Sequence, residues 1–166
     1  MAAVGVAALA ACNPTFNWRE VRVAPTGLVA MFPCKPDKAA RNVTMGGAEV
    51  SLQALGCDAG GSTFALLFAE IGASGRTGEI LGQWKAASLA NMRGKVGQEQ
   101  AFRPPGAIDL PQSQQVRANG QRRDGSAVQS QAAYFAHGRH VFQAAIYGNS
   151  LGPETTQPFF SGLRFE

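Results

Sequence analysis

The sequence predicts an α+β domain: an antiparallel β-sheet of about six to seven strands, with one mid-chain amphipathic helix and a short C-terminal helix packed on it. Three observations predict this class. Short apolar or alternating runs recur along the chain, separated by Gly, Pro, Asn and Asp. A single long stretch, from Thr77 to about Gly94, instead carries apolar residues at helical spacing. Near the end, Pro153-Glu154 opens a second and shorter helical stretch, with Pro at a tolerated first-turn position.

The elements follow in order. Trp18 to Val23 alternates weakly, and Pro25-Thr26-Gly27 turns the chain. Leu28 to Phe32 is a short apolar strand, stopped by the prolines of Pro33-Cys34-Lys35-Pro36. Val43 to Met45 leads into Gly46-Gly47, a hairpin turn suited to positive φ. Beyond it Val50, Leu52 and Ala54 point one way and Glu49, Ser51 and Gln53 the other, as in a half-buried strand. After Asp58-Ala59-Gly60-Gly61, the run Thr63 to Ile71 is apolar on both faces, with Phe64, Leu66 and Phe68 opposite Ala65, Leu67 and Ala69. That pattern predicts a central strand covered by helix on at least one side.

Thr77 is the expected N-cap of the long helix. Leu81, Trp84, Ser88 and Met92 form its stripe, flanked by Ile80 and Leu89, and the stripe reads as a core-facing surface. Phe102-Arg103-Pro104-Pro105-Gly106 and Leu110-Pro111 mark a long irregular connection. Gln114 to Asn119 and Val128 to Ala136 are strands on either side of a turn at Gly120 and Asp124-Gly125. His140 to Tyr147 pairs back across His137-Gly138-Arg139, and Phe159, Phe160 and Leu163 dock the C-terminus onto the sheet.

With 166 residues and 45% hydrophobic content, the chain suits one globular domain. No apolar run approaches the roughly 20 residues of a membrane-spanning helix. The net charge of +4 rests on arginines scattered from Arg19 to Arg164, so no nucleic-acid partner is expected. The densest group is Arg117, Arg122 and Arg123, interrupted by Gly120, and Arg122-Arg123-Asp124-Gly125 reads as a solvated hairpin tip.

Residues 1–11 carry no charge and are all small or apolar, as in the apolar region of a secretory signal. They end in Leu9-Ala10-Ala11-Cys12, which resembles the lipobox of bacterial lipoproteins. The resemblance implies a lipid-bearing thiol at Cys12, cleavage just before it, and residues 12–17 as a tether to a single domain at 18–166. No Lys or Arg precedes Arg19, so the positive segment of such a signal is expected upstream of Met1. Asn13, in place of the Asp that commonly retains lipoproteins at the inner membrane, implies a periplasmic protein anchored to the outer membrane. With Cys12 lipidated, Cys34 and Cys57 remain as an even pair, most economically a disulfide in an oxidising periplasm. There is no C-x-x-C redox motif. A zinc site joining the two thiols to His137 and His140 lacks finger-like spacing, so no metal and no cofactor is expected.

Phe32-Pro33-Cys34-Lys35-Pro36, the long hairpins, the mid-chain helix and a terminal Phe159-Phe160-x-x-Leu163-x-Phe165 together resemble a PsbP-like α/β sandwich. More narrowly, the chain is similar to small bacterial lipoproteins of that shape. The resemblance spans most of residues 18–166 and implies an accessory or assembly factor of a membrane complex, with no catalytic residue to carry over.

No Gly-x-Ser-x-Gly or phosphate loop is present, and Glu99 and Asp109 are too isolated to form a carboxylate pair. His137 and His140 read as a solvent-exposed pair at a hairpin tip. The expected function is therefore a lipid-anchored periplasmic interaction or accessory module that binds or stabilises an envelope protein complex, through an exposed aromatic or Arg patch. The alternative is a small-ligand-binding lipoprotein, with a pocket lined by Trp84, Phe64 or Tyr134. A periplasmic enzyme using His137 or His140 ranks last, since it needs an acid or nucleophile beside the imidazole.

Overall fold

A computed structural model describes residues 14–72 and 75–166. Cys12 and the signal-like segment lie outside the described residues. The first half of the chain forms β1 (Arg19–Val23), β2 (Leu28–Phe32), β3 (Asp37–Met45), β4 (Ala48–Ala59) and β5 (Ser62–Glu70). Helix α1 (Thr77–Asn91) and strand β6 (Lys95–Ala101) come next. Strands β7 (Gln114–Gln121), β8 (Ala127–His137) and β9 (His140–Gly148), helix α2 (Pro153–Ser161) and the short β10 (Arg164–Phe165) complete the chain.

Seven strands form one antiparallel sheet in the order β3-β4-β5-β9-β8-β7-β6. This is the α+β sheet that the sequence predicts, but a second sheet was not expected. Strands β1, β2 and β10 pair separately, with β2 in the middle. The physical reason lies in Pro33 and Pro36, which end β2 and turn the chain before the hairpin β3–β4 begins. One strand boundary differs from expectation, and one strand was not expected at all. β3 starts at Asp37, six residues before Val43, because its backbone pairs with β4 along nine positions although its side chains are mostly exposed. β6 has no buried residue at all, and only its pairing with β7 makes it a strand.

The alternation along β5 and β9 sorts side chains into two cores. Phe64, Leu66 and Phe68 of β5, with Phe142, Ala144 and Ile146 of β9, face β1, β2 and α2. Ala69 of β5, with Val141 and Ala145 of β9, faces Ile80 and Leu81 of α1. The first core is aromatic: Phe159 of α2 meets Phe64 edge-on at 5.4 Å and Phe32 at 5.6 Å. Phe16, placed by sequence in the tether, packs on this core beside Trp18 and Phe64.

Helix α1 also departs from expectation at both ends. Arg76 takes the N-cap position, and Thr77 is the first helical residue, with no side-chain cap. The start is held instead by the Arg76 guanidinium, which donates to the Gly46 carbonyl at 2.8 Å and to the Glu79 carboxylate at 2.7 and 3.0 Å. Gly46 lies at φ +58°, and a Cβ there would come within 2.9 Å of Ile80. The helix ends at Asn91 with Met92 as C-cap, short of Gly94. Gly94 N–H donates to the Leu89 carbonyl and Arg93 N–H to the Ala90 carbonyl, the paired bonds of a Schellman ending.

Cys34, just past β2, and Cys57, on β4, have Sγ atoms 2.10 Å apart and Cα atoms 6.1 Å apart. The disulfide thus ties the small sheet to the large one across 23 residues of sequence. Replacing both cysteines by serine is expected to lower stability by about 3 kcal/mol, the chain-entropy value for a loop of this length. Chemical denaturation of the two proteins checks it, and an unchanged midpoint would show that the sheets hold together without the crosslink.

Candidate functional site

The face of the large sheet beneath α1 is built from alternate residues of adjacent strands. Arg41 on β3 pairs in register with Leu52 on β4. Leu67 on β5 lies opposite Gln143 on β9, which lies opposite Tyr134 on β8. The first turns of α1 bury Ile80 and Leu81 against this surface. The later turns present Trp84, Ala87, Ser88 and Asn91 along the helix edge, none of them fully buried. An open groove of about 410 Å³ results between the second half of α1 and the strands.

Leu52, Leu67, Trp84, Met92, Val128 and Tyr147 supply the apolar part of the groove. Trp84 stands edge-on to Tyr134 at 6.3 Å. At the base, the Gln143 amide donates to Ser88 Oγ at 2.8 Å and to Tyr134 Oη at 2.9 Å. These bonds satisfy polar groups that would otherwise be costly to bury. The end of α1 is pinned by Gln121 N–H, which donates to the Met92 carbonyl at 2.7 Å. Gly120 permits this approach, because a Cβ there would come within 2.4 Å of that same oxygen.

The rim is cationic. Arg41, Arg122 and Arg123 line the groove, and no carboxylate does. Arg122 is oriented by neutral acceptors, the Ala127 carbonyl, Ser126 Oγ and Asn149 Oδ1. Arg41 and Arg123 form no ion pair among the described residues. Guanidinium groups beside a partly desolvated apolar surface favour carboxylate or phosphate oxygens, because forked donors match them and water competes less there. Burial, followed by the proximity of Tyr134, pushes the Tyr147 phenol up to about 12. Tyr147 is accordingly a neutral O–H donor at the groove wall.

Of the residues singled out by sequence, the structure brings Trp84 and Tyr134 together, Trp84 lining the groove and Tyr134 beneath it. Phe64 is not with them; it is fully buried on the opposite face of the sheet. The stripe expected to be wholly core-facing is so at Leu81, while Trp84, Ser88 and Met92 line the groove. Arg122 and Arg123 are exposed at the β7–β8 turn, as the sequence reading has it, and they also reach the rim because that turn folds toward the end of α1. Arg41 was missed altogether. Its signal was a charge at the parity of Val43 and Met45 on the strand face that packs toward α1.

The histidines are less exposed than expected. His137 Nδ1 lies 2.8 Å from the Gly106 carbonyl, and its ring stacks on Phe165 with centroids 4.1 Å apart. His140 is half-buried, and its burial lowers its pKa against an opposing pull from Glu70. Neither imidazole hydrogen-bonds to a carboxylate or a hydroxyl among the described residues. Glu99 pairs with Lys85 at 3.1 Å and Asp109 with Arg103 at 3.2 Å. No cluster of three or more His, Cys, Asp or Glu placed to hold a metal ion occurs among the described residues. No helix among them is long and apolar enough to cross a membrane.

Comparison with models of protein families gives no match, and comparison with curated proteins gives none.

The alkaline behaviour of the groove wall can be tested directly. The chain has two tyrosines, Tyr134 and Tyr147, and burial raises both above the ordinary value of 10. A folded phenol that stays protonated while the unfolded one ionises loses its stabilising effect as pH rises through this range. Stability is therefore expected to fall between about pH 10 and 12, by about 1.4 kcal/mol per pH unit for Tyr147. Tyrosinate absorbance should stay low until the fold is lost. An early rise near pH 10 in the folded protein would show that the groove wall is solvated.

Proposed function

We propose that this protein is a lipid-anchored periplasmic interaction module, accessory to an envelope protein complex, and that the α1 groove grips its partner. The observation that carries this reading is the rim of Arg41, Arg122 and Arg123 around Trp84, with no carboxylate among the lining residues. A partner segment that fits carries carboxylates for the rim and one apolar side chain for the groove. Leu9-Ala10-Ala11-Cys12 supports the address, with the lipid on Cys12 holding the domain at the outer membrane. The Cys34–Cys57 disulfide fits an oxidising compartment. The hairpins, the mid-chain helix and the docked terminal phenylalanines support the finer reading of the fold as a PsbP-like sandwich.

A second reading has one observation in its favour. A groove of about 410 Å³ falls within the range of small-molecule sites, and its lining suits an amphipathic anion.

The test uses the full-length protein extracted from native membranes, with a photoreactive residue at exposed Ala87 in the groove or at exposed Asn42, which faces away from it. Crosslinking to an envelope protein is expected from position 87, and Arg41→Glu with Arg123→Glu should cut the yield about tenfold, the effect of losing roughly 1.4 kcal/mol. Equal yields from both positions would overturn the assignment of the groove. Native mass spectrometry of the same sample distinguishes the second reading, which predicts a small anion released by the arginine substitutions. Intact mass checks the address: an unlipidated Cys12 would remove the membrane anchor from the proposal.

A further inference from the structure

The opposite face of the same sheet carries a second concavity, next to α2 and independent of the groove beneath α1. It is built by register. Gln98 on β6 pairs with Arg117 on β7, which pairs with Gln131 on β8. One row along, Gln100 pairs with Gln115, which pairs with Ala133 of the aromatic core. Four glutamines and one arginine therefore stand on one face of three adjacent strands. The first turns of α2 close the side with Thr156, leaving a pocket of about 260 Å³ that no carboxylate lines.

Two of these amides are buried as a core residue would be: Gln115 is 7% exposed and Gln131 8%. Gln115 Oε1 accepts from the Gln100 amide at 3.1 Å. Gln131 Oε1 is the one buried side-chain oxygen or nitrogen among the described residues with no hydrogen-bond partner. Such an acceptor costs stability unless something donates to it. Arg117 beside it spends one N–H on the Leu151 carbonyl at 2.8 Å and pairs with no acid among the described residues.

The chemistry of an occupant follows from these two unmet needs. Gln131 requires a donor and Arg117 an acceptor, so a bare anion satisfies only one of them. A hydroxyl both donates and accepts, as does each glutamine amide, so vicinal hydroxyls match the array. An extended peptide has donors and acceptors too, but it adds most readily along a strand edge, and these amides stand on a sheet face. We propose that this pocket binds a saccharide, with ring hydroxyls on the amides of Gln98, Gln100, Gln115 and Gln131 and a sugar carboxylate on Arg117.

The test is nuclear magnetic resonance of the whole domain, following the glutamine side-chain amides during titration with trigalacturonate. Maltotriose, succinate and trialanine are the comparison probes. Trigalacturonate is expected to shift the amides of the four named glutamines, with weaker binding of maltotriose and none of succinate or trialanine. Gln131→Met removes the amide while keeping its length, and should weaken trigalacturonate at least about tenfold, the effect of one lost buried hydrogen bond. Arg117→Gln, at a half-buried site, should abolish the preference for trigalacturonate over maltotriose. Silence of the glutamine amides, equal shifts from succinate or trialanine, or no preference for the charged sugar would each overturn the proposal. So would a Gln131→Met protein of altered stability that binds trigalacturonate as before, since Gln131 would then be structural only.

Discussion

The paired central strands β5 and β9 present apolar side chains on both faces, and an antiparallel sheet of that kind must be covered twice. Phe64, Leu66, Phe142 and Ile146 on one face are each fully buried. At roughly 1.5–3 kcal/mol per large apolar side chain, leaving that face open would remove much of a domain's net stability. The small sheet and α2 meet this need with interlocking aromatic rings, and the disulfide holds the small sheet in place. The outer ion pairs of Arg22 and Arg164 with Glu20 and Glu166 join β1 to β10, but they are exposed and screened.

Coverage of the other face is incomplete, and the groove is the consequence. Seven strands at roughly 4.8 Å spacing make a surface about 29 Å wide, whereas a helix is about 10–12 Å across. α1 bridges from β5 to the far edge strand β6, so it crosses this face only once. Ile80 and Leu81 seat its first turns, and its later turns leave Trp84 and Leu67 half-sheltered over buried Leu52. Arginines gather at the opening because β3 and the β7–β8 turn bound it from opposite sides. The glutamine pocket arises in a similar way on the opposite face, where α2 stops short of β6 and β7.

Much of the fold was legible because burial writes itself into period two. β4 carries that alternation, β5 and β9 are apolar on both faces, and the C-terminal phenylalanines pair on a helix, and each takes the place its pattern implies. β6 was illegible for the same reason: Lys95–Ala101 buries nothing, so its strand conformation comes from backbone bonds to β7 alone. The candidate site was legible only in Trp84 and Tyr134, where large aromatics fell near an apolar stripe. Phe64 looked equivalent in sequence, yet strand parity sends it to the opposite core.

By itself the sequence determined the class of the domain, the pairing of Cys34 with Cys57 as the most economical reading, and the turns at Gly46-Gly47 and Gly138, because these depend on local patterning and residue chemistry. Tertiary structure alone decided that β1 and β2 leave the main sheet, and that β9 inserts between β5 and β8. It also decided that Arg41 meets Arg122 and Arg123 across one groove, and that Gln98, Arg117 and Gln131 share a row across three strands. These residues are distant in sequence and carry no common motif. They come together because strand order and register, set by which faces must be buried, place them side by side.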